Sequence, residues 1–286
     1  ILFSILNRGK RSIEVDIKSK DGYANILNLI KTADVVVDQF RPGVMKRLGL
    51  DFDSLIKIKP NIIHCSITGY GQTGPKKLIA AHDLNYMAES GLLSLAIEKD
   101  GSPAMPNTQI ADIAGGSYPA VINILLALRE VEKTGNGKFL DISMTDNLFP
   151  FMWMALGLTA NHFYSSGGDM QLTGASPRYG IYETLDKGYI ALGALEEKFW
   201  LRFCEVISLS DKLVNDHNDP EATKKAIIKI IKSKNTKKWK KILANEENIC
   251  CSIVHSLEEA MQESQIKERK LLSAKMKIGK EEIFPM

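Results

Sequence analysis

His82, in Ala-Ala-His-Asp-Leu-Asn-Tyr, and Asp112, in Ile-Ala-Asp-Ile-Ala-Gly-Gly-Ser, are the side chains best suited to chemistry in this sequence. An imidazole titrates near neutrality, so His82 can take or give a proton at physiological pH. Asp112 is a carboxylate followed by small residues, which let a substrate or a second chain come close. Two such groups facing one carbon could move a proton off it and back on.

These groups need elements to hold them. Arg11 to Ile17 alternates charged and apolar residues, the pattern of a half-buried strand. A helix follows from Lys20 to Thr32. Asp34 to Phe40, with Val35-Val36-Val37, and Ile62 to Thr68 read as buried parallel strands. Short helices over Met45 to Leu48 and Asp53 to Ile58 fall between them. This β-α-β order predicts a parallel α/β sheet with right-handed crossovers. Ser117 to Val131 reads as a strong apolar helix and Lys138 to Met144 as a strand. Leu148 to Ala160 reads as a buried helix, and Ser165-Ser166-Gly167-Gly168 as a linker.

Beyond the linker, Tyr179 to Glu183 and Tyr189 to Leu192 form a hairpin pattern around Asp186-Lys187-Gly188. Helices are expected from Glu196 to Ile207, from Asp219-Pro220 to Lys232, from Thr236 to Leu243 and from Ser256 to Gln265. The fold expected is α/β: a Rossmann-like large domain with a parallel sheet, and a smaller α+β domain. The large domain covers residues 1–146, a linker helix and loop 147–174, the small domain 175–272, and the start of a return linker 273–286.

Composition narrows the partners. The chain has 286 residues and a net charge of +3, too small to imply nucleic acid by itself. Lys237-Lys238-Trp239-Lys240-Lys241 reads as a solvated helix face with Trp239 turned inward. The four cysteines, Cys65, Cys204, Cys250 and Cys251, lack CxxC spacing, which fits a reducing, cytoplasmic compartment. No apolar run reads as long enough to span a bilayer, so no membrane partner is expected. Both ends look cut. Gly69-Tyr-Gly71-Gln-Thr-Gly74 matches GxGxxG, but Pro75-Lys76-Lys77 follows in place of a helix start, so the stretch reads as a tight loop. No metal site is expected.

Ile-Thr-Gly-Tyr-Gly-Gln-Thr-Gly-Pro (67–75), His-Asp-Leu-Asn-Tyr (82–86) and Ala-Asp-Ile-Ala-Gly-Gly (111–116) together resemble the family III CoA-transferase superfamily, also called CaiB/BaiF. Residues 7–18, 40–50 and 193–200 extend the likeness along the chain. It is strongest to the superfamily's α-methylacyl-CoA racemase branch. The resemblance implies an interlocked homodimer, an acyl-CoA substrate and no cofactor beyond the CoA of that substrate. It also implies that the first 146 residues are the CoA-binding domain, and that an N-terminal strand and turn of that domain are missing here.

In the racemases one group takes a proton from one face of the α carbon and another returns one to the opposite face. Carried over, these roles fall on His82 and Asp112. A third carboxylate maps to Glu196, with Glu197 as competitor. It would hold the tautomer of the histidine and raise its pKa. The resemblance places Val15, Asp16, Ile17 and Lys18 against the nucleotide, and Arg41 and Arg47 against phosphate. Ala81, His82, Asp83, Leu84, Asn85 and Tyr86 would line the pantetheine and thioester. The Gly115-Gly116-Ser117 run either offers N–H groups at a helix start to the enolate oxygen or only permits close packing. The rival is a CoA-transferase in which Asp112 is a nucleophile that forms an anhydride. Thr-Gly-Ala-Ser-Pro-Arg-Tyr-Gly-Ile-Tyr (173–182) departs from the racemase pattern and favours that rival, whereas His82 favours racemisation.

Overall fold

The computed structural model describes residues 2–98, 100–162, 170–278 and 281–283. The chain divides into two units, Glu14–Gly168 and a second that joins Ile1–Ile13 to Asp169–Met286.

The first unit is built on three parallel strands: β1 (Val35–Asp38), β2 (Ile63–Thr68) and β3 (Lys138–Ser143), with β2 central. Val35 pairs with Ile63, and Ile63 with Lys138. Side chains alternate across a sheet, so β1 feeds two cores, with Val35 in one and Val36 in the other. Ile63, Cys65, Leu140 and Ile142 pack against Ala120, Ala127 and Val131 of the Tyr118–Thr134 helix. Val36 packs with Ile62, Ile30 and Leu55, which brings in the Lys20–Thr32 and Phe52–Ile58 helices. Helices on both faces are what a parallel sheet requires. The Lys20–Thr32 helix begins where expected because the Ser19 hydroxyl accepts the Gly22 N–H at 3.0 Å.

Three expectations for this unit fail. Arg11 to Ile17 is irregular, although its alternation survives in half-buried Val15 and Ile17. No described strand pairs with it, and a strand needs a partner to satisfy its backbone. Leu148 to Ala160 is not one buried helix. It is a 3-10 turn (Asp146–Met152) containing Pro150, followed by a short helix (Trp153–Ala160), and Phe151 and Trp153 are exposed. The third concerns membrane-spanning length. Gly115-Gly116-Ser117 reads as the start of the helix, yet a π-helical turn (Ala111–Ser117) runs straight into the Tyr118–Thr134 helix. The resulting 24-residue helix, Ala111–Thr134, is long and apolar enough to cross a membrane by length and composition. One of its faces is committed to the sheet.

The second unit is an antiparallel sheet, β4 (Tyr179–Glu183), β5 (Tyr189–Gly193) and β6 (Cys251–Ile253), with β5 central. The hairpin is the one expected; β6 was not anticipated. Its core joins Ile190 and Leu192 to Trp200, Phe203, Ile227, Ile231 and Trp239. These residues come from the Glu197–Ile207, Pro220–Ile231 and Thr236–Leu243 helices. Trp239 is buried while Lys237, Lys238, Lys240 and Lys241 are exposed, as a solvated face requires. The expected Ser256 to Gln265 helix is two short ones, Leu257–Gln262 and Ser264–Glu268, interrupted at extended Glu263. The Ser165 to Gly168 linker lies outside the described residues, as do parts of 273–286.

Candidate active site

A cavity of about 660 Å³ opens beyond the carboxyl ends of all three parallel strands. Gln39 and Arg41 follow β1, Thr68 ends β2 and Gly69 follows it, and Met144 follows β3. Ligands of open α/β sheets bind at this end of the strands. His82, Asn85, Tyr86 and Asp112 line the same cavity, although Asp112 lies thirty residues after His82.

The Asp83–Ser90 helix positions the histidine. His82 is its cap, and the His82 N–H donates to Asn85 Oδ1 at 3.0 Å. This is the backbone half of a capping box, with Asn in the place of Glu or Gln. The Tyr86 hydroxyl donates to the Ala81 carbonyl at 2.8 Å and so fixes the residue before the histidine. The buried Tyr86 ring occupies the space beside Gly69, where a Cβ would lie 2.3 Å from it. The GxGxxG stretch therefore serves packing, and no helix starts at it.

Asp112 sits in the π-helical turn and its backbone is held on both sides. Its N–H donates to Asp83 Oδ1 at 2.8 Å, and its carbonyl accepts the Ser117 hydroxyl at 3.1 Å. Among the described residues its carboxylate accepts no hydrogen bond. Burial raises its pKa above the ordinary value, the Asp83 carboxylate adds to that, and His82 opposes it. The histidine and both acids thus share one electrostatic environment. Asp83, expected to touch substrate, does not line the cavity and instead braces Asp112. That role was missed, and the adjacency of His82 and Asp83 was its only sequence signal.

The glycine run has its answer in the packing. Gly115 and Gly116 lie inside the helix, not at its start, so their N–H groups are not free for an enolate. A Cβ on Gly115 would lie 2.4 Å from the Met144 carbonyl oxygen. The glycines let the Asp112 turn close on the end of β3.

The structure gathers some expected residues and leaves others apart. Arg41, Ala81, Asn85 and Tyr86 line the cavity with His82 and Asp112; Leu84 does not. An adjoining cavity of about 320 Å³ shares Phe40 and Arg41 with it. Arg47 and Val15 to Lys18 line neither cavity. Arg47 instead lies against Gly43 in the turn after Arg41, and Asp16 closes a turn by accepting the Lys18 N–H.

A second acid–imidazole cluster lies on β1 and β2. His64 Nε2 is 2.8 Å from Asp38 Oδ2, which also accepts the Ser66 hydroxyl at 2.5 Å. All three residues are buried. Burial pushes the Asp38 pKa up, but hydrogen bonds from His64, Ser66 and the Phe40 N–H outweigh this and hold it below the ordinary value. In the other unit the two candidate glutamates separate. Glu197 Oε2 takes Arg178 Nη1 at 2.6 Å, whereas exposed Glu196 has no such partner among the described residues.

Known proteins resemble this chain along most of its length. Residues 1–284 match the sequence profile of CoA-transferase family III. The chain is 33% identical over 272 residues to human alpha-methylacyl-CoA racemase, covering 93% of this chain and 70% of that protein. It is 31% identical over 275 residues to the succinate–glutarate CoA-transferase of Agrobacterium fabrum, covering 93% and 68%. Among solved structures it superposes on the Mycobacterium tuberculosis protein Rv3272 with a TM-score of 0.82 and 26% identity, covering 97% of this chain and 75% of that one. A CaiB/BaiF family protein from Brucella suis gives 0.77 and 25%, covering 94% and 72%. The motifs, the parallel-sheet fold and a match along nearly the whole sequence agree: this chain belongs to CoA-transferase family III.

Proposed function

We propose that this protein racemises 2-methylacyl-CoA thioesters by moving the proton on the α carbon. The observation that carries the reading is that His82 and Asp112, from separate elements, line one cavity. A raised carboxylate pKa makes Asp112 a stronger base than an ordinary aspartate. The other group then returns a proton to the opposite face, and the centre inverts. Arg41 lines the cavity and Arg47 ends the short Val44–Arg47 helix that follows it, so cations are at hand for the CoA phosphates. The reading adds Glu196 as the carboxylate that serves the histidine, on the strength of the family resemblance. It needs no cofactor besides the CoA of the substrate.

We further infer that the working form is a homodimer. The outer face of the Tyr118–Thr134 helix exposes Val121, Ile122, Leu125 and Leu126, and Phe151 and Trp153 are also exposed. Apolar patches of this kind mark interaction surfaces. A second copy is the occupant the family resemblance supports, and sedimentation of the protein as a monomer at micromolar concentration would contradict it. All four cysteines are free, which supports a reducing cytoplasmic setting.

A second reading has its own support. The likeness to a CoA-transferase is nearly as strong as that to the racemase, and Asp112 could attack the thioester carbonyl with CoA thiolate as leaving group. One experiment separates them. The protein is incubated with a (2R)-2-methylacyl-CoA in deuterated water without any acceptor acid. Racemisation predicts deuterium at C2 with loss of chirality. No exchange, together with hydroxylamine-sensitive acylation of Asp112, establishes the transferase instead.

A further inference from the structure

We infer that Arg178 is a positioning residue for Glu196, an inference that rests on the racemase reading above. Arg178 lies at the entry to β4, and its side chain is only 8% exposed. Its guanidinium forms a two-pronged pair with Asp216: Nη2 to Oδ1 at 2.7 Å and Nε to Oδ2 at 3.1 Å. It also stacks 5.0 Å from the centre of the Trp200 ring. A planar guanidinium held in this way is rigid, unlike a lysine. The remaining prong, Nη1, reaches two groups. It donates to the Leu195 carbonyl at 3.3 Å and to Glu197 Oε2 at 2.6 Å.

Those two contacts fall on the residues immediately before and after Glu196. The Glu196 backbone is held as well, because its carbonyl accepts the N–H groups of Phe199 and Trp200, each at 3.0 Å. Everything around Glu196 is thus tied down, while its carboxylate is exposed and accepts no hydrogen bond among the described residues. A carboxylate held at its base and unspent at its tip is free to serve a reacting group. Glu197 cannot take that role without giving up Arg178. The geometry therefore selects Glu196 over its neighbour and makes Arg178, anchored by Asp216, the part that aims it.

The test is a double-mutant cycle on the full chain, read as the rate of deuterium exchange at C2. Glu196→Gln is expected to slow kcat strongly. Arg178→Lys is expected to slow kcat by about ten-fold with thioester KM unchanged, because small misplacements of a catalytic group are costly. The double variant should be no slower than Glu196→Gln alone. Far-UV circular dichroism and the urea midpoint verify that each variant is folded at the assay temperature. If Arg178→Lys lowers only the urea midpoint, or if its loss adds to that of Glu196→Gln, Arg178 is structural and the inference fails. Should Arg178→Lys not fold, Asp216→Asn, which frees one prong of the anchor, is read by the same criteria. If Glu196→Gln exchanges at the wild-type rate, it is the assignment of Glu196 that fails instead.

Discussion

Asp38 and Asp112 lie in the same unit, each near a histidine, and they are built in opposite ways. Asp38 is buried and saturated, with His64, the Ser66 hydroxyl and the Phe40 N–H all on its carboxylate. Asp112 has its backbone tied by Asp83 and Ser117 while its carboxylate lines an open cavity. Hydrogen bonds hold the pKa of Asp38 down against burial; burial and a neighbouring acid raise that of Asp112. A saturated carboxylate has nothing left to offer a substrate. One kept short of partners is a base in waiting. The contrast teaches that a histidine beside an acid is no signature of catalysis: what matters is which lone pairs are left over.

Breaking each cluster should give a different kind of failure. Asp112→Asn should slow exchange at C2 by roughly a hundred- to ten-thousand-fold, the usual range for a lost acid/base group, with the fold intact by circular dichroism. Near wild-type exchange would remove Asp112 from the mechanism. Asp38→Ala should do the reverse. It strips a buried network of its acceptor and should cost roughly 3 kcal/mol by urea unfolding, with exchange per folded molecule within about two-fold of wild type. Gly115→Ala should cost roughly 1–3 kcal/mol, since the added methyl meets the Met144 carbonyl, and it should slow exchange by shifting the Asp112 turn.

The smallest effect sharpens the contrast most. A depressed carboxylate pKa adds stability that is present above the unfolded value and lost as pH falls through the folded one. That is Asp38. A raised pKa does the opposite: its contribution is present below the unfolded value and lost as pH rises through the folded one. That is Asp112. Urea midpoints followed between about pH 3 and pH 7 should therefore lose part of their acid-side fall in Asp38→Asn. In Asp112→Asn they should lose a small decline on the rising side. Slopes of the same sign for the two variants would show the clusters to be alike.

The elements were readable where a local rule decides them. The Lys20–Thr32 and Thr236–Leu243 helices begin after Ser19 and Asn235, side chains that cap them as their types predict. Asp219-Pro220 opens a helix in the same way. What was unreadable depends on partners distant in sequence. Arg11 to Ile17 has the alternation of a strand but no described strand beside it. Phe151 and Trp153 look like core residues and lie outside it. The π-helical turn is invisible to a period of 3.6, although Gly115 and Gly116 mark where the chain must approach Met144. Within the site, His82 and Asp112 stood out through the family motifs. Asp83 as a brace for Asp112 did not, because that bond joins two elements.

In the racemase proposed above, His82 and Asp112 divide the work on two faces of one carbon. The direct measurement is the rate of deuterium exchange from the (2R) and from the (2S) 2-methylacyl-CoA catalysed by His82→Ala. A much larger loss is expected for one epimer than for the other. Equal loss for both would contradict it.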